Sequence, residues 1–198
     1  MRIIFKISLI FFSIYSFGQS IKITNDKLID DFSYHSVIDV EITNNGYLVL
    51  GIKREENKLI NHYFLTEIDN TYKILSQKEI KLENANLSIQ DIAVSDLNDI
   101  CGFGSKFTDD GEMINYVICF DNSMTKKWDL YLNEKHEGWI KGFFYNDLFY
   151  IVTNDSKTYL IYRIDNSGNL KDSLIIDIGF AETLEDIKVT ENGFLIYG

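Results

Sequence analysis

The 198-residue chain has no proline and only three histidines, and its one long apolar run lies at the N-terminus. The histidines, His35, His62 and His136, are too far apart in sequence to form a metal-binding pair of the usual spacing. Neither a Cys-His pair nor a Ser-His-Asp set can be assembled from the spacing of these residues. The sequence therefore predicts no catalytic residue and no cofactor-binding residue, and it argues against an enzyme without excluding one.

Positive charge is also scarce. The chain has 19 lysines and arginines against 30 aspartates and glutamates, and its net charge is −11. An acidic surface of this kind repels a phosphate backbone, which argues against nucleic acid as a partner. Such a surface keeps an exported protein in solution, or it attracts cations and basic partners.

The N-terminal apolar run has the pattern of a secretory signal peptide. Arg2 and Lys6 supply the basic start, Ile7–Phe12 is an apolar core interrupted only by Ser8, and Ser16-Phe17-Gly18 offers small residues before a cleavage site. An uncleaved anchor is the alternative, but the run contains a lysine and is shorter than the roughly 20 apolar residues that span a bilayer. We predict a signal peptide at residues 1–18, with no membrane span after cleavage. The protein would then be exported, to the periplasm, the cell surface or the extracellular space.

A two-residue turn pattern recurs through the rest of the chain at intervals of about 50 residues, a period typical of repeat folds built of blades. Asparagine, aspartate and glycine tolerate the positive φ that a two-residue hairpin turn needs. The four pairs, each between β-rich runs, are Asn45-Gly46, Asn98-Asp99, Asn146-Asp147 and Asn192-Gly193.

Two further landmarks repeat in the same order. An Asp-Asn pair, which caps a turn through its carboxylate, follows each third strand, at Asp69-Asn70, Asp121-Asn122 and Asp165-Asn166. A glycine ends the second strand at Gly51, Gly104 and Gly198, whereas the third unit has Val152 there. Repetition of three landmarks indicates repeated structural units.

The sequence thus predicts an all-β fold of β-propeller-like blades, each of four antiparallel strands, with about three and a half repeats and therefore an incomplete ring. A β-sandwich is the alternative. The units are residues 36–82, 83–133, 134–180 and, in part, 181–198. Their predicted strands are 37–43, 47–53, 62–68, 74–80, 88–94, 100–106, 113–120, 127–132, 139–144, 148–153, 158–164, 170–176, 184–189 and 194–198.

Two explanations of the half repeat remain open. The chain is a fragment of a longer propeller, or a strand at Ser20–Leu28, within the N-terminal segment 19–35, closes a small ring. In a fragment, one face of the last unit lacks a partner sheet. The apolar row expected to be partly exposed there is Leu184, Ile187, Phe194 and Ile196.

Two segments, Thr158–Leu170 and Glu185–Gly198, resemble a repeat common in exported proteins of Bacteroidetes. In that family a strand, an Asp-x-x-Gly turn and a further strand lead to a segment that ends in Gly-Tyr-x-x-x-Gly. The resemblance covers roughly residues 36–198. It implies a secreted β-propeller-like scaffold and provides no catalytic residue. The second unit departs from the pattern, because its turn, Asn122-Ser123-Met124, contains no glycine.

Candidate site residues come from the first strand of each unit, which lines the central channel of a propeller. Asp39, Asp91 and Asp186 lie near the start of that strand in three units, and the third unit has Ile140 or Lys141 there. Carboxylates that converge on an axis could hold a calcium ion, which prefers several oxygen ligands. In the alternative, each aspartate caps the backbone of a neighbouring blade or faces channel water.

The two cysteines, Cys101 and Cys119, lie on adjacent predicted strands. A symmetric hairpin centred on Asp110 places them opposite each other, whereas alignment of the blades places Cys101 opposite Tyr116 or Val117. Both a disulfide and a pair of buried thiols remain open.

The fold and the acidic surface favour an exported repeat protein that acts as a binding scaffold, with a protein, a glycan or a cation as ligand. The alternative is a secreted or periplasmic glycan-active enzyme whose active site lies in the axial channel. Such an enzyme should show a deep axial pocket with two or more facing carboxylates and a base.

Overall fold

The computed structural model describes residues 36–54, 61–82, 87–132, 140–154, 157–177, 179 and 183–197. The chain divides into two compact units, Met1–Asp31 and Phe32–Gly198, and every described residue belongs to the second. The predicted signal peptide, the predicted closing strand, His35 and His136 all lie outside the described residues.

All the regular structure in the described residues is β-strand, and every strand begins and ends within two residues of its predicted bounds. The strands are β1 (Ser36–Thr43), β2 (Gly46–Arg54), β3 (Asn61–Asp69), β4 (Ile74–Ile80), β5 (Leu87–Val94), β6 (Ile100–Phe107), β7 (Met113–Phe120), β8 (Lys126–Leu132), β9 (Ile140–Tyr145), β10 (Leu148–Asn154), β11 (Thr158–Asp165), β12 (Leu170–Asp177), β13 (Asp186–Thr190) and β14 (Gly193–Tyr197).

Consecutive strands pair antiparallel, so that each unit is a simple meander. Blade 1 is β1–β4, blade 2 is β5–β8, blade 3 is β9–β12, and the two-stranded blade 4 is β13–β14. The first strands of successive blades, β1, β5, β9 and β13, lie side by side. These repeated four-stranded sheets confirm the predicted all-β, propeller-like architecture, and the sheets do not close into a ring within the described residues.

The blades are held together by hydrophobic cores between facing sheets. Buried side chains of blades 1 and 2 form one core, those of blades 2 and 3 a second, and those of blades 3 and 4 a third. Aromatic side chains of the third strand in each full blade contribute to these cores, as Tyr63 and Tyr116 do in the first and Tyr159 does in the third. Because a strand alternates its side chains between two faces, the central strands of blades 2 and 3 each contribute to two of these cores.

The apolar row predicted for the uncovered face of the last unit lies instead on its covered face, where Leu184 is buried and the other three residues are partly buried. Leu184, Ile187, Phe194 and Ile196 pack against blade 3. The opposite face of the hairpin carries the exposed apolar residues, among them Leu195 and Tyr197. Alternation of side chains along the strands puts the two apolar rows on opposite faces of the hairpin. Which of these faces is covered depends on the position of blade 3, which the sequence does not show.

The turn between β1 and β2 lies one residue earlier than predicted. Thr43 pairs with Gly46, so the turn residues are Asn44 and Asn45, and blade 4 repeats this geometry. Gly46 has φ of 147°, and a Cβ atom built on it would lie 2.0 Å from the carbonyl oxygen of Ile68 in β3. The glycine therefore follows the turn, and both its positive φ and the close approach to β3 require it.

The other two turns differ from each other. Asn146 and Asp147 form the predicted two-residue turn, with φ of 49° and 62°. In blade 2 the loop is longer, because the amide of Ser95 donates to the carbonyl of Asp99 and the amide of Asn98 to the carbonyl of Ser95. The prediction of a two-residue turn at Asn98-Asp99 is therefore wrong.

Strand register corrects one repeat position in blade 3. Gly51 pairs with Val37, Gly104 with Ile89, and Thr153 with Ile140. Thr153, and not Val152, therefore occupies the place of the second-strand glycine. The error follows from the misplaced turn, which shifted the sequence alignment of the first and third units by one residue.

The Asp-Asn landmarks cap their turns as predicted. In the first of them, Asp69 Oδ1 accepts hydrogen bonds from the amides of Thr71, at 2.8 Å, and Lys73, at 2.9 Å. Asp121 and Asp165 repeat the pattern in blades 2 and 3.

Cys101 and Cys119 lie directly opposite each other in the β6–β7 pair. Both thiols are free and fully buried, and burial raises the pKa of Cys101. The symmetric-hairpin argument was right because the loop centred on Asp110 adds no register shift. The blade alignment was wrong.

Candidate functional site

A cavity of about 440 Å³ lies where the first strands of the four blades converge. We call it the axial pocket. Among the described residues, the ionisable side chains that line it are Asp39, Glu41, Asp91, Lys141, Asp186 and Lys188. The structure thus brings the three predicted aspartates together in one place.

Strand register explains the convergence. Asp39 pairs with Leu50, Asp91 with Phe103, and Asp186 with Tyr197, at equivalent points of the blades. Strands β1 and β5 each contain a register shift just before the aspartate, as a β-bulge produces, and a bulge re-aims the side chains that follow.

Blade 3 departs from this pattern. Strand β9 pairs with β10 without a register shift, and its equivalent position is Lys141, which pairs with Val152. Of the two candidates in the sequence, Lys141 is therefore the axial residue, whereas the side chain of Ile140 is buried in the core between blades 2 and 3. The axial position thus reads Asp, Asp, Lys, Asp from blade 1 to blade 4.

Two of the axial aspartates link successive blades. Asp39 Oδ2 accepts a hydrogen bond from the backbone amide of Ile92 in blade 2, at 3.0 Å. Asp91 Oδ2 accepts one from the amide of Gly142 in blade 3, at 2.7 Å. This is the alternative role that the sequence left open, in which each aspartate caps the backbone of a neighbouring blade.

Lys141 makes the next link in a different way. Its Nζ donates to Asp91 Oδ1, at 3.1 Å, so the lysine contacts the preceding blade. A lysine has no acceptor atom and cannot cap a backbone amide of β13 as an aspartate would. Burial lowers the pKa of Lys141, but the charge of Asp91 and the hydrogen bond between them outweigh burial and raise it above its usual value.

Two carboxyl groups of the axial pocket have raised pKa values. Burial, with the charge of Asp39 added to it, raises the pKa of Glu41 to about 7. Burial and the charge of Asp39 likewise raise the pKa of Asp91 to about 8, against the opposing effects of Lys141 and the Gly142 amide. The axial pocket can therefore exchange protons close to neutral pH.

The axial pocket does not favour calcium. Within the described residues, no group of three or more histidine, cysteine, aspartate or glutamate side chains is arranged to hold a metal ion. Calcium takes six to eight oxygen ligands, but oxygens of Asp39 and Asp91 already bind backbone amides, and the ammonium of Lys141 occupies the same pocket.

Sequence reasoning missed Glu41 and Lys188, each two residues beyond an axial aspartate. Residues i and i+2 of a strand point to the same face, so the positions of Asp39 and Asp186 could have identified them. The sequence also missed a contact made by Trp128, whose Nε1 donates to the carbonyl of Asn166 in blade 3, at 3.0 Å.

No protein-family model matches the chain, and a search of curated proteins finds no match. No helix in the described part of the chain is long and apolar enough to cross a membrane.

Proposed function

We propose that this chain is an exported propeller-like repeat protein that acts as a binding scaffold and takes its ligand in the axial pocket. The convergence of four inner strands on one cavity lined by charged side chains is the observation that carries the proposal. Export rests on the basic start, apolar core and small residues of segment 1–18. The turn Asp165–Gly168 and the segment Glu185–Gly198 resemble secreted repeat proteins of Bacteroidetes, and this resemblance supports the same assignment.

Charge in the axial pocket indicates the class of ligand. Four carboxyl side chains face two lysines, and Lys141 is already paired with Asp91. Glu41 and Asp186, by contrast, make no hydrogen bond between side chains within the described residues. Glu41 and Asp91 have pKa values of about 7 and about 8, so the negative charge of the pocket exceeds its positive charge only as the pH rises above 7. A lysine or arginine side chain on a partner protein would then complement this charge.

Binding of matched peptides tests the assignment. The full chain is titrated into a fluorescent peptide with a single arginine in a neutral sequence, and into the same peptide with glutamine at that position. We expect binding of the arginine peptide only, weakened by salt and weakened again in Glu41→Gln. Asp109→Asn, which removes one carboxylate from an exposed loop, is the control and should bind normally.

The pKa of Glu41 gives a second readout. Since that carboxyl group is protonated below about pH 7, binding should weaken as the pH falls from 8 to 6. Glu41→Gln should lose part of this dependence, and the remainder is expected from Asp91, whose pKa is about 8. Equal binding of the two peptides, or an equal loss in Asp109→Asn, would reject the proposed site.

A second candidate function is a glycan-active enzyme in the same pocket. It is favoured by the pKa of Glu41 near 7, which suits a general acid or base at neutral pH. Release of reducing ends from a panel of polysaccharides tests it. An enzyme of this kind should lose about 100-fold or more of its activity in Glu41→Gln. Absence of release by the unmodified chain would exclude the enzyme and leave the scaffold.

A further inference from the structure

A second cavity, of about 420 Å³, lies between blades 1 and 2. It is bordered by the β1–β2 turn, by parts of β3, β4 and β5, and by the turns before β6 and β8. Val94 is the one lining residue that it shares with the axial pocket. Its volume falls in the range of about 300–1,000 Å³ that is usual for small-molecule sites.

Amide side chains dominate the polar part of this cavity, which we call the amide groove. They belong to Asn44, Asn45, Asn98 and Asn122. Within the part of the chain that the structure describes, none of these four carboxamides makes a hydrogen bond. The aspartates of the neighbouring turns, in contrast, use their carboxylates to cap their own turns. Each free carboxamide can donate two hydrogen bonds and accept two.

The amide groove also has an apolar surface. The ring of Tyr47 is stacked on that of Tyr72, with centroids 6.1 Å apart and planes at 10°. The side chain of Leu75 borders the groove and is 56% exposed. Tyr47 thus presents a fixed ring beside an accessible aliphatic side chain, a surface onto which a flat apolar ligand face can pack.

The amide groove contains far fewer charged side chains than the protein as a whole. Among its lining residues in the described part of the chain, Glu67 is the only one with a carboxylate or ammonium group. Glu67 Oε2 also accepts a hydrogen bond from Ser76 Oγ, at 2.9 Å. A nearly neutral groove is unexpected in a chain of net charge −11 and does not select for charged ligands.

We propose that the amide groove binds an uncharged oligosaccharide. Sugar hydroxyls both donate and accept hydrogen bonds, and carboxamides complement them in both respects. The C–H face of a sugar ring is apolar and fits against Tyr47 and Leu75. This ligand is independent of the axial pocket, because the ionisable residues of that pocket do not line the groove.

The test uses the full chain and the neutral hexasaccharides of cellulose, xylan, mannan, laminarin and starch, each followed by saturation-transfer NMR and calorimetry. We expect at least one of them to bind. Asn98→Gly and Asn122→Ala should each weaken that binding roughly threefold to tenfold, the loss expected for one hydrogen bond. Glycine is chosen at Asn98 because φ there is 60°.

The matched control is Asn146→Gly. Asn146 also has positive φ, at 49°, but lies in the blade 3 turn, away from the groove, and this variant should bind like the unmodified chain. Glu41→Gln should also bind the sugar normally, which separates this test from that of the axial pocket. Failure of all five sugars to bind would overturn the proposal. Binding that is unchanged in both groove variants would also overturn it.

Discussion

The first hairpins of blade 1 and blade 4 have the same repeat pattern in different surroundings. Gly46 and Gly193 both follow a two-residue turn, and their φ values are 147° and 144°. Two residues further along the chain, Leu48 is 3% exposed and Leu195 is 52% exposed. The local sequence thus forms the same hairpin twice, and the neighbouring strands and blades decide what that hairpin buries.

The largest difference in stability between blades 1 and 4 is expected when the two equivalent leucines are truncated to alanine. Leu48→Ala should lower the free energy of unfolding by about 2–5 kcal/mol, because it leaves a cavity in the core between blades 1 and 2. Leu195→Ala should cost less than about 1 kcal/mol, since half of that side chain is already in water. Urea unfolding of both variants measures the difference. Equal costs would mean that blade 4 has a cover on its outer face.

Substitution of the two equivalent glycines, Gly46 and Gly193, tests how strongly the neighbouring strand β3 restricts the first hairpin. Gly46→Ala should destabilise by about 2–4 kcal/mol, because its Cβ would overlap the Ile68 carbonyl and would also strain the positive φ. Gly193→Ala carries the strain alone, since no heavy atom lies within 4 Å of its Cβ, and should cost about 1 kcal/mol. Thermal melts would show the order. A Gly193→Ala variant as unstable as Gly46→Ala would contradict the open surroundings of that hairpin.

Removal of an axial aspartate should also destabilise the protein more in blade 1 than in blade 4. Asp39→Ala leaves the amide of the buried Ile92 without its partner and should cost about 1–3 kcal/mol. Asp186→Ala, at the equivalent position of blade 4, should change stability by less than about 0.5 kcal/mol, because Asp186 is exposed. Hydrogen exchange of the Ile92 amide provides a local readout. Unchanged protection of this amide in Asp39→Ala would argue against the inter-blade cap.

The smallest effect concerns pH. Glu41 of blade 1 corresponds to Lys188 of blade 4, and the folded-state pKa of Glu41, about 7, lies above its unfolded value of 4.5. The folded chain therefore binds a proton that the unfolded chain releases, and stability should fall as the pH rises from about 5 to 7. Glu41→Gln should remove part of this slope, on the order of 1 kcal/mol, in chemical denaturation at several pH values. Lys188→Gln is the control and should leave the slope unchanged.

The sequence predicted the strands well but misjudged details that depend on contacts. Asn146-Asp147 was recognised correctly, because a two-residue turn with positive φ at both positions is a local property. Asn45-Gly46 was misread by one residue, since the same glycine signal served a close approach to β3. The cysteine pair followed from hairpin symmetry, whereas alignment between blades failed once the turns differed in length.

Part of the candidate site could also be predicted from the sequence. Repetition of the first strand placed Asp39, Asp91 and Asp186 on one axis, and the structure brings them into one pocket. The amide groove could not have been found in this way. It lies between two blades and draws on turns that are distant in sequence, such as those of Asn45 and Asn122.

By itself the sequence determined the all-β class, the four-strand period and the capped turns. These depend on alternation of side chains and on local backbone preferences, which neighbouring residues fix. The packing of the blades, in contrast, brings Asp39 and Asp91 to the backbone of the next blade, places Lys141 at the axial position of blade 3 and determines which face of the last hairpin is covered. Each of these results depends on how one sheet stacks against the next, and that stacking brings together residues about 50 positions apart, which no local preference specifies.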